Sequence, residues 1–121
     1  HMRIESYKEL VVWQKAIKLT VEVYKATDNY PKTEIYGLTS QSRKSTVSTP
    51  SNIAEGWTRQ HLQEYLQFLN IALGSAAERE TQLTIAERLS FLSGEDFQRI
   101  NALNIEVMKM LNSLISSLKP K

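Results

Sequence analysis

The stretch QSRKSTVSTPSNIAEG, residues 41–56, decides the fold, because it carries signals both for and against a helix. The segment from Thr39 to Ser51 holds eight Ser or Thr in thirteen residues, which is the composition of a linker. Against a linker, this segment contains no glycine, and apolar residues at helical spacing resume after it. We therefore predict a helix here, kinked near Pro50, which lacks a backbone N–H, and ended by Gly56, which adopts a left-handed conformation easily.

Prolines and glycines divide the rest of the chain into pieces of helical length. Pro31, Gly56 and Gly94 lie between long stretches with helical periodicity, and no alternating strand pattern competes with them. The second helix then follows Pro31 with Thr33 as its N-cap, and the third starts near Thr58. Helices with short connections pack as antiparallel neighbours, so we predict an all-α protein, an up-down four-helix bundle.

One domain accounts for the whole length. A chain of 121 residues has the size of a single domain, and a composition of 41% hydrophobic and 23% charged residues is globular. His1 and Met2 look like the remnant of an expression tag. We therefore assign residues 1–5 to this remnant and a short N-terminal extension, and residues 6–119 to the bundle.

The first helix has more apolar surface than one neighbour can cover. It opens with Ser6 and Glu9 at the spacing of a capping box, and two apolar stripes follow. A helix with two such stripes lies centrally in a bundle or faces a partner chain. The stripes consist of Leu10, Trp13, Ile17, Val21 and Tyr24, and of Val12, Ala16, Leu19, Val23 and Ala26.

Small residues and a second cap mark the later helices. The run GSAA, residues 74–77, lies at the centre of the third helix. Gly74 costs about 1 kcal/mol relative to alanine inside a helix, so we predict that it marks a close crossing between helices. Ser93 and Asp96 have the spacing of a weaker capping box at the start of the fourth helix, whose apolar residues then recur three and four apart.

The composition excludes several kinds of chemistry. The chain has no cysteine, which rules out disulfides, thiolate zinc sites and cysteine catalysis. His61 is the only histidine outside the tag remnant, so neither a di-iron bundle nor a Ser-His-Asp site can be assembled. We expect a protein without enzymatic activity, cofactor or metal. The apolar runs are far shorter than the roughly 20 residues of a membrane span, which favours a soluble cytoplasmic protein.

A modest positive charge suggests nucleic acid as a partner. The chain carries +2 overall, and residues 1–60 hold nine basic and six acidic residues. The alternative is a solvated face in which basic residues pair with a third-helix carboxylate such as Glu78. The candidate phosphate-contacting residues are Lys32, Arg43, Lys44 and Arg59.

Four aromatic residues belong either to a nucleic-acid site or to the packed interior. Bases of a single-stranded nucleic acid stack on aromatic rings. Aromatic residues at helical spacing, however, more commonly belong to a core or an interface. The four residues are Trp13, Tyr36, Trp57 and Tyr65.

The chain resembles the family of 23S rRNA intervening-sequence proteins. The resemblance rests first on residues 41–56, where a Gln, two basic residues and S-x-P-S-N-I-A-E-G close the second helix. The segments LVVWQKA at 10–16, PKTEIYGL at 31–38 and YLQFLNIALGSAAE at 65–78 are similar to the family's first helix, second-helix entry and third helix. The motif residues are Gln41, Ser48, Pro50, Ser51, Asn52, Ile53, Ala54, Glu55 and Gly56.

The resemblance implies a homopentamer of antiparallel four-helix bundles without an established enzymatic activity. The architecture is similar to that of the accessory protein of diversity-generating retroelements, a basic pentamer that binds nucleic acid and a reverse transcriptase. The present sequence departs from the family where Ser42, Ser45, Thr46 and Thr49 replace apolar residues or alanine. This departure predicts weaker burial and wetter packing of the second helix.

Two polar motif residues have alternative interpretations. Asn52 and Glu55 either line a ligand or RNA site, or they are structural. In the structural case Asn52 bonds the backbone that Pro50 frees, and Glu55 pairs with Arg59 four residues later.

Two functions therefore follow from the sequence. The first is a non-enzymatic oligomeric accessory protein that binds RNA. The alternative is a structural or protein-interaction scaffold that does not bind nucleic acid.

Overall fold

The computed structural model describes residues 4–120, and these residues form four α-helices and no strand. The helices are α1 (Val11–Thr27), α2 (Leu38–Arg59), α3 (Leu62–Arg88) and α4 (Gly94–Leu118). The predicted all-α architecture with four helices is confirmed. His1 and Met2, the predicted tag remnant, lie outside the described residues.

Two of the predicted caps are present. Ser6 and Glu9 form a capping box, although it closes a 3-10 turn, Tyr7–Glu9, that precedes α1. At the start of α4 only half of the predicted capping box forms: the Ser93 hydroxyl accepts a hydrogen bond of 3.0 Å from the Asp96 N–H, and the Asp96 carboxylate pairs with Arg99 instead. Each cap provides a partner for an N–H group that the first turn of a helix leaves unpaired.

The start of α2 differs from the prediction. Thr33 lies in a 3-10 turn, Lys32–Glu34, and α2 begins only at Leu38. The Glu34 carboxylate has the capping role, since it accepts a hydrogen bond of 3.2 Å from the Leu38 N–H. The residues around Thr33 therefore belong to an ordered connection between α1 and α2, and not to the first turn of α2.

The boundary between α2 and α3 also differs. The helix continues beyond Gly56, whose φ is not positive, so the prediction that this glycine ends α2 is wrong. Gln60 supplies the left-handed residue instead, with a φ of 60°. As a result α3 begins at Leu62, and the predicted start near Thr58 is wrong.

Each helix packs against two neighbours, with α1 and α3 each lying between α2 and α4. Thr20 faces Thr46 while Thr27 faces Arg43, so the contacts between α1 and α2 run in opposite residue order. Contacts between α2 and α3, and between α1 and α4, follow the same opposite order. The fully buried apolar side chains include Leu19, Val23, Ile53, Leu69, Leu83, Ile100, Val107 and Leu111.

Neither Gly56 nor Gly74 has its predicted role. A Cβ at Gly56 would lie 2.7 Å from the Cβ of Phe68 and 3.1 Å from the Cδ1 of Tyr65, so α2 and α3 cross closely there. A Cβ at Gly74 would meet no atom within 4 Å, and Gly74 is exposed. The prediction that Gly74 marks a close crossing is therefore wrong, and Gly56 marks one instead.

Candidate nucleic-acid interface

Arg43, the first of the predicted phosphate-contacting residues, is anchored to the end of α1. Its Nη2 donates to the Asp28 carboxylate at 2.8 Å, and its Nε donates to the Thr27 hydroxyl at 2.9 Å. The guanidinium also lies 4.7 Å from the centre of the Tyr24 ring. The ion pair that the alternative interpretation expected is thus made with α1 and not with Glu78. Because these contacts tie α2 to α1, few donors of Arg43 are left for a phosphate.

Arg59 is held in a similar way at the other end of α2. Its guanidinium lies 3.0 Å from the Glu55 carboxylate and 3.8 Å from that of Glu64, and 5.2 Å from the centre of the Phe68 ring. The predicted pair of Glu55 with Arg59 is confirmed. At 1.5 Å per residue, Arg59 lies about 24 Å along α2 from Arg43, so the four basic residues do not form one patch.

Lys32 and Lys44 keep their ammonium groups in solvent. Both side chains are exposed, and neither forms an ion pair with any residue in the range 4–120. Lys32 shares a groove with Arg43 beside the turn that precedes α2. Lys44 shares a groove between α2 and α3 with Glu78. These two lysines are the predicted site residues whose charge stays available to a phosphate.

Pro50 lies inside α2, and a hydroxyl of α1 approaches the carbonyl that the proline leaves free. A proline leaves the carbonyl four residues earlier without its usual partner, and the Thr20 hydroxyl lies 3.0 Å from this oxygen of Thr46 and 2.8 Å from the Ala16 carbonyl of its own helix, so one proton serves both oxygens. Asn52 donates instead to the Ser48 carbonyl at 2.8 Å, so the expectation that it bonds the freed carbonyl is wrong. The helix runs on through the proline, and the kink stays a prediction.

The motif residues occupy every side of α2. A helix that packs against two neighbours needs small or apolar residues on more than one side, and the motif meets this need. Gln41, Ser51 and Glu55 are exposed, Ser48, Asn52 and Ala54 are half-buried, and Pro50, Ile53 and Gly56 are buried.

A layer of polar side chains crosses the middle of the bundle. The four hydroxyl residues at which this sequence departs from the family it resembles are all buried, so weaker burial of α2 was a wrong prediction. The Ser45 hydroxyl donates to the side-chain amide oxygen of Gln82 in α3 at 2.8 Å, and the hydroxyls of Thr49 and Ser75 lie 2.8 Å apart. The four hydroxyl residues are Ser42, Ser45, Thr46 and Thr49.

Arg79 of α3 lies at the centre of this layer and is 0% exposed. Its Nε donates to the Asn104 side chain of α4 at 2.9 Å. Its Nη1 donates to the Ser45 carbonyl at 2.9 Å and to the Thr49 hydroxyl at 3.0 Å. One side chain therefore links α2, α3 and α4.

The charge of Arg79 has no buried counter-ion. No carboxylate among residues 4–120 pairs with it, and its Nη2 has no hydrogen-bond partner. Burial lowers the pKa of Arg79 to about 10, against the opposing effect of Glu78, so the guanidinium is charged at neutral pH. The Thr49 hydroxyl, the Asn104 amide oxygen and the Ser45 carbonyl take the place of water around this charge, which explains the hydroxyl residue at the core position of Thr49.

Sequence analysis did not identify Arg79 as a core residue, although two signals were present. The apolar stripe of α3 runs through Ala76 and Leu83, and Arg79 occupies the helical position between them. Ser42, Ser45 and Thr49 recur three and four apart on α2, which puts their hydroxyls on one face. A charged residue on one apolar stripe and hydroxyls on the facing helix together predict a buried polar contact.

An apolar surface, which we call the exposed stripe, runs along α1 and α2. It consists of Ile17, Val21 and Tyr24 of α1 and Val47 of α2, and these side chains are 39–49% exposed. The groove beside it is lined by further apolar residues, including Trp13. The other apolar stripe of α1 lies in the core. Of the first predicted stripe, Leu10 and Trp13 pack against the core, and its later part, Ile17 to Tyr24, is left on the surface of the single chain.

The four aromatic residues considered for base stacking lie in different environments. Trp13 and Trp57 both contact Tyr7, with ring centres 5.4 Å and 6.4 Å from it. Tyr65 packs against the core. Tyr36 lies in the turn before α2 and is almost fully exposed. Three of the four rings are therefore engaged within the bundle.

The part of the chain that the structure describes contains no group of three or more His, Cys, Asp or Glu residues that could hold a metal ion. None of its helices combines the length and the apolar character needed to cross a membrane.

Comparison with known proteins identifies a family and a similar fold. The family model described as 23S rRNA-intervening sequence protein matches residues 8–113. The fold is similar to the crystal structure of a protein with unknown function from the S23 ribosomal protein family of Bacteroides thetaiotaomicron VPI-5482, with a TM-score of 0.82 and 27% sequence identity. The match covers 88% of this chain and 96% of that chain. No curated protein matches the chain.

Proposed function

Because this chain belongs to the 23S rRNA-intervening sequence protein family, we propose that it is a non-enzymatic homo-oligomer that binds RNA. The family description links it to ribosomal RNA, and the net charge of +2 suits a polyanion. A charge of +2 on a single chain is small, so RNA binding requires that several chains act together. The observation that carries the proposal is the exposed stripe, because it supplies a surface through which chains assemble.

The exposed stripe has the properties of an interface between copies. Four large apolar side chains, each more than a third exposed, lie along two neighbouring helices. Contiguous apolar surface of this kind marks interaction sites, because water contact with it is unfavourable. A second copy of the chain covers the stripe without requiring another gene product. The resemblance to the family implies that the assembly is a pentamer.

Assembly multiplies the charge that RNA meets. A pentamer of this chain carries about +10, and such a charge attracts RNA more strongly at low salt than at high salt. Lys32 and Lys44 are the phosphate contacts in this proposal, because their ammonium groups are exposed and unpaired. Arg43 and Arg59 add to the electrostatic field from their ion pairs.

Filter-binding titrations with single-stranded RNA test the proposal. Affinity should fall steeply between low and moderate salt, because each neutralised phosphate releases counterions. The double variant Lys32→Ala and Lys44→Ala should bind all RNA sequences more weakly, since phosphate contacts carry no sequence information. A matched control removes two exposed lysines, Lys109 in the second half of α4 and Lys119 just after its end, and it should bind nearly as well as the parent.

The alternative is a scaffold that binds a protein partner. Two of the four predicted phosphate-contacting residues favour it, because Arg43 and Arg59 form ion pairs with carboxylates of the same chain. The variant Arg43→Ala separates the two functions when a melting curve is measured beside the titration. A lower melting temperature with unchanged RNA affinity assigns Arg43 a structural role only. Absence of RNA binding by the parent at low salt contradicts the RNA proposal and leaves the scaffold.

A further inference from the structure

The turn between α1 and α2 presents one aromatic ring to solvent. Tyr36 is 95% exposed, and the neighbouring Ile35 is 56% exposed. A tyrosine ring is a large, mainly apolar surface that folded chains normally cover at least in part. No other part of residues 4–120 covers this ring. The exposed ring is therefore a candidate contact for a molecule other than this chain.

The turn that carries this ring is fixed by hydrogen bonds. The Ile35 N–H donates to the Lys32 carbonyl at 3.2 Å, and the Gly37 N–H donates to the Glu34 carbonyl at 2.9 Å. The Glu34 carboxylate also caps α2. Since the backbone on both sides of the exposed ring is bonded, the ring is presented from an ordered position. A ligand that binds it loses little affinity to ordering the chain.

The charges around the turn suit a polyanion. Lys32 lies four residues before Tyr36, at most about 14 Å away in Cα position, and its ammonium group is unpaired. The nearby carboxylate of Asp28 is neutralised by Arg43 at 2.8 Å. The Glu34 carboxylate is engaged with the N-terminus of α2. The lysine is therefore the one charge of the turn that has no partner among the described residues.

We propose that Tyr36 is a stacking platform for an unpaired base of single-stranded RNA, with Lys32 contacting a neighbouring phosphate. One ring and one aliphatic side chain are too small a surface for a typical protein interface, but they match the face of one base. Stacking is tolerant of sequence because every base has a π-face. This inference rests on the proposed RNA binding, and it names the strand type and the contact.

Two substitutions separate stacking from mere apolar contact. Tyr36→Leu keeps an apolar side chain but removes the ring, whereas Tyr36→Phe keeps the ring. Loss of a stacked base typically weakens binding by about fivefold to 150-fold. We expect Tyr36→Leu to lose about tenfold in affinity for polyadenylate and Tyr36→Phe to bind like the parent. Affinity for a blunt RNA duplex, whose bases are already stacked, should change little in either variant.

Leu89→Ala serves as a control, because Leu89 is another large apolar side chain that is 56% exposed, in the connection between α3 and α4. It should bind polyadenylate like the parent, and all variants should melt at the parent's temperature. Equal affinities of Tyr36→Leu and Tyr36→Phe would overturn the stacking inference while leaving RNA binding intact. A change in oligomeric state in Tyr36→Leu would overturn it in favour of a protein contact. Failure of the parent itself to bind RNA would overturn the proposed function together with this inference.

Discussion

Substitution of two glycines by alanine tests the packing of α2 on α3. Both Gly56 and Gly74 lie inside helices, so each alanine gains about 1 kcal/mol of helix propensity. At Gly56 the new methyl would lie 2.7 Å from the Cβ of Phe68, and overpacking of this kind costs about 1–3 kcal/mol. At Gly74 the methyl meets nothing within 4 Å. We therefore predict that Gly56→Ala is about 1–3 kcal/mol less stable than Gly74→Ala.

Thermal and urea unfolding at equal protein concentration measure this difference. For a domain of this size, about 1 kcal/mol corresponds to roughly 4 °C, so the two variants should melt roughly 4–12 °C apart. Gly74→Ala should melt above the parent. The comparison isolates packing, because both variants gain the same helix propensity. Equal stabilisation by the two alanines would refute the close crossing at Gly56.

Two further predictions concern buried polar groups, and urea unfolding measures both. Tyr30→Phe removes a buried hydroxyl that has no hydrogen-bond partner, so the free energy of unfolding should stay equal or rise. Burial raises the pKa of Tyr30 to about 12 from 10.0. The unfolded chain therefore releases the phenol proton at a lower pH than the folded chain, and the parent should lose stability between these two pKa values. Tyr30→Phe has no such proton and should lose less; equal losses would contradict the argument. Arg79→Ala leaves a cavity and neutral polar groups without their partner on α2 and α4, and it should cost about 2–5 kcal/mol. Arg79→Lys should not restore stability, because it lacks the planar donors; parent-like stability of either Arg79 variant would refute the role of this residue.

The helical architecture could be predicted from the sequence, because it depends on local signals. Periodic apolar residues, the caps at Ser6 and Ser93, and the few breakers act within one helix or turn. Residues 41–56 have the composition of a linker but form a helix, and buried hydroxyls of this segment bond polar groups of the neighbouring helices, among them Arg79, Gln82 and Thr20. The helix ends were predicted less well. Gln60 adopts a left-handed conformation that no glycine supplies, and Glu34 caps α2 from a turn whose shape depends on the helix that follows it.

The tertiary roles of single residues could not be predicted in the same way. Gly56 and Gly74 have the same local context, a helix interior, and only the position of α3 distinguishes a close crossing from open space. The same holds for the basic residues around α2. Arg43 and Lys44 are adjacent in sequence, yet one meets the end of α1 and the other meets solvent. The basic patch predicted from residues close in sequence is therefore absent, because the fold gives these residues different neighbours.

Sedimentation of labelled single-stranded RNA with the protein at low salt tests the central claim most directly. The account predicts that the RNA co-sediments with an oligomer of the parent chain. The variant Val21→Glu, which puts a charge on the exposed stripe, should stay folded, sediment as a monomer and leave most of the RNA free. Ile85→Glu adds the same charge at an apolar residue of α3 that is 44% exposed, and it should behave like the parent. A parent chain that sediments as a monomer, or RNA that stays free in its presence, would contradict the account.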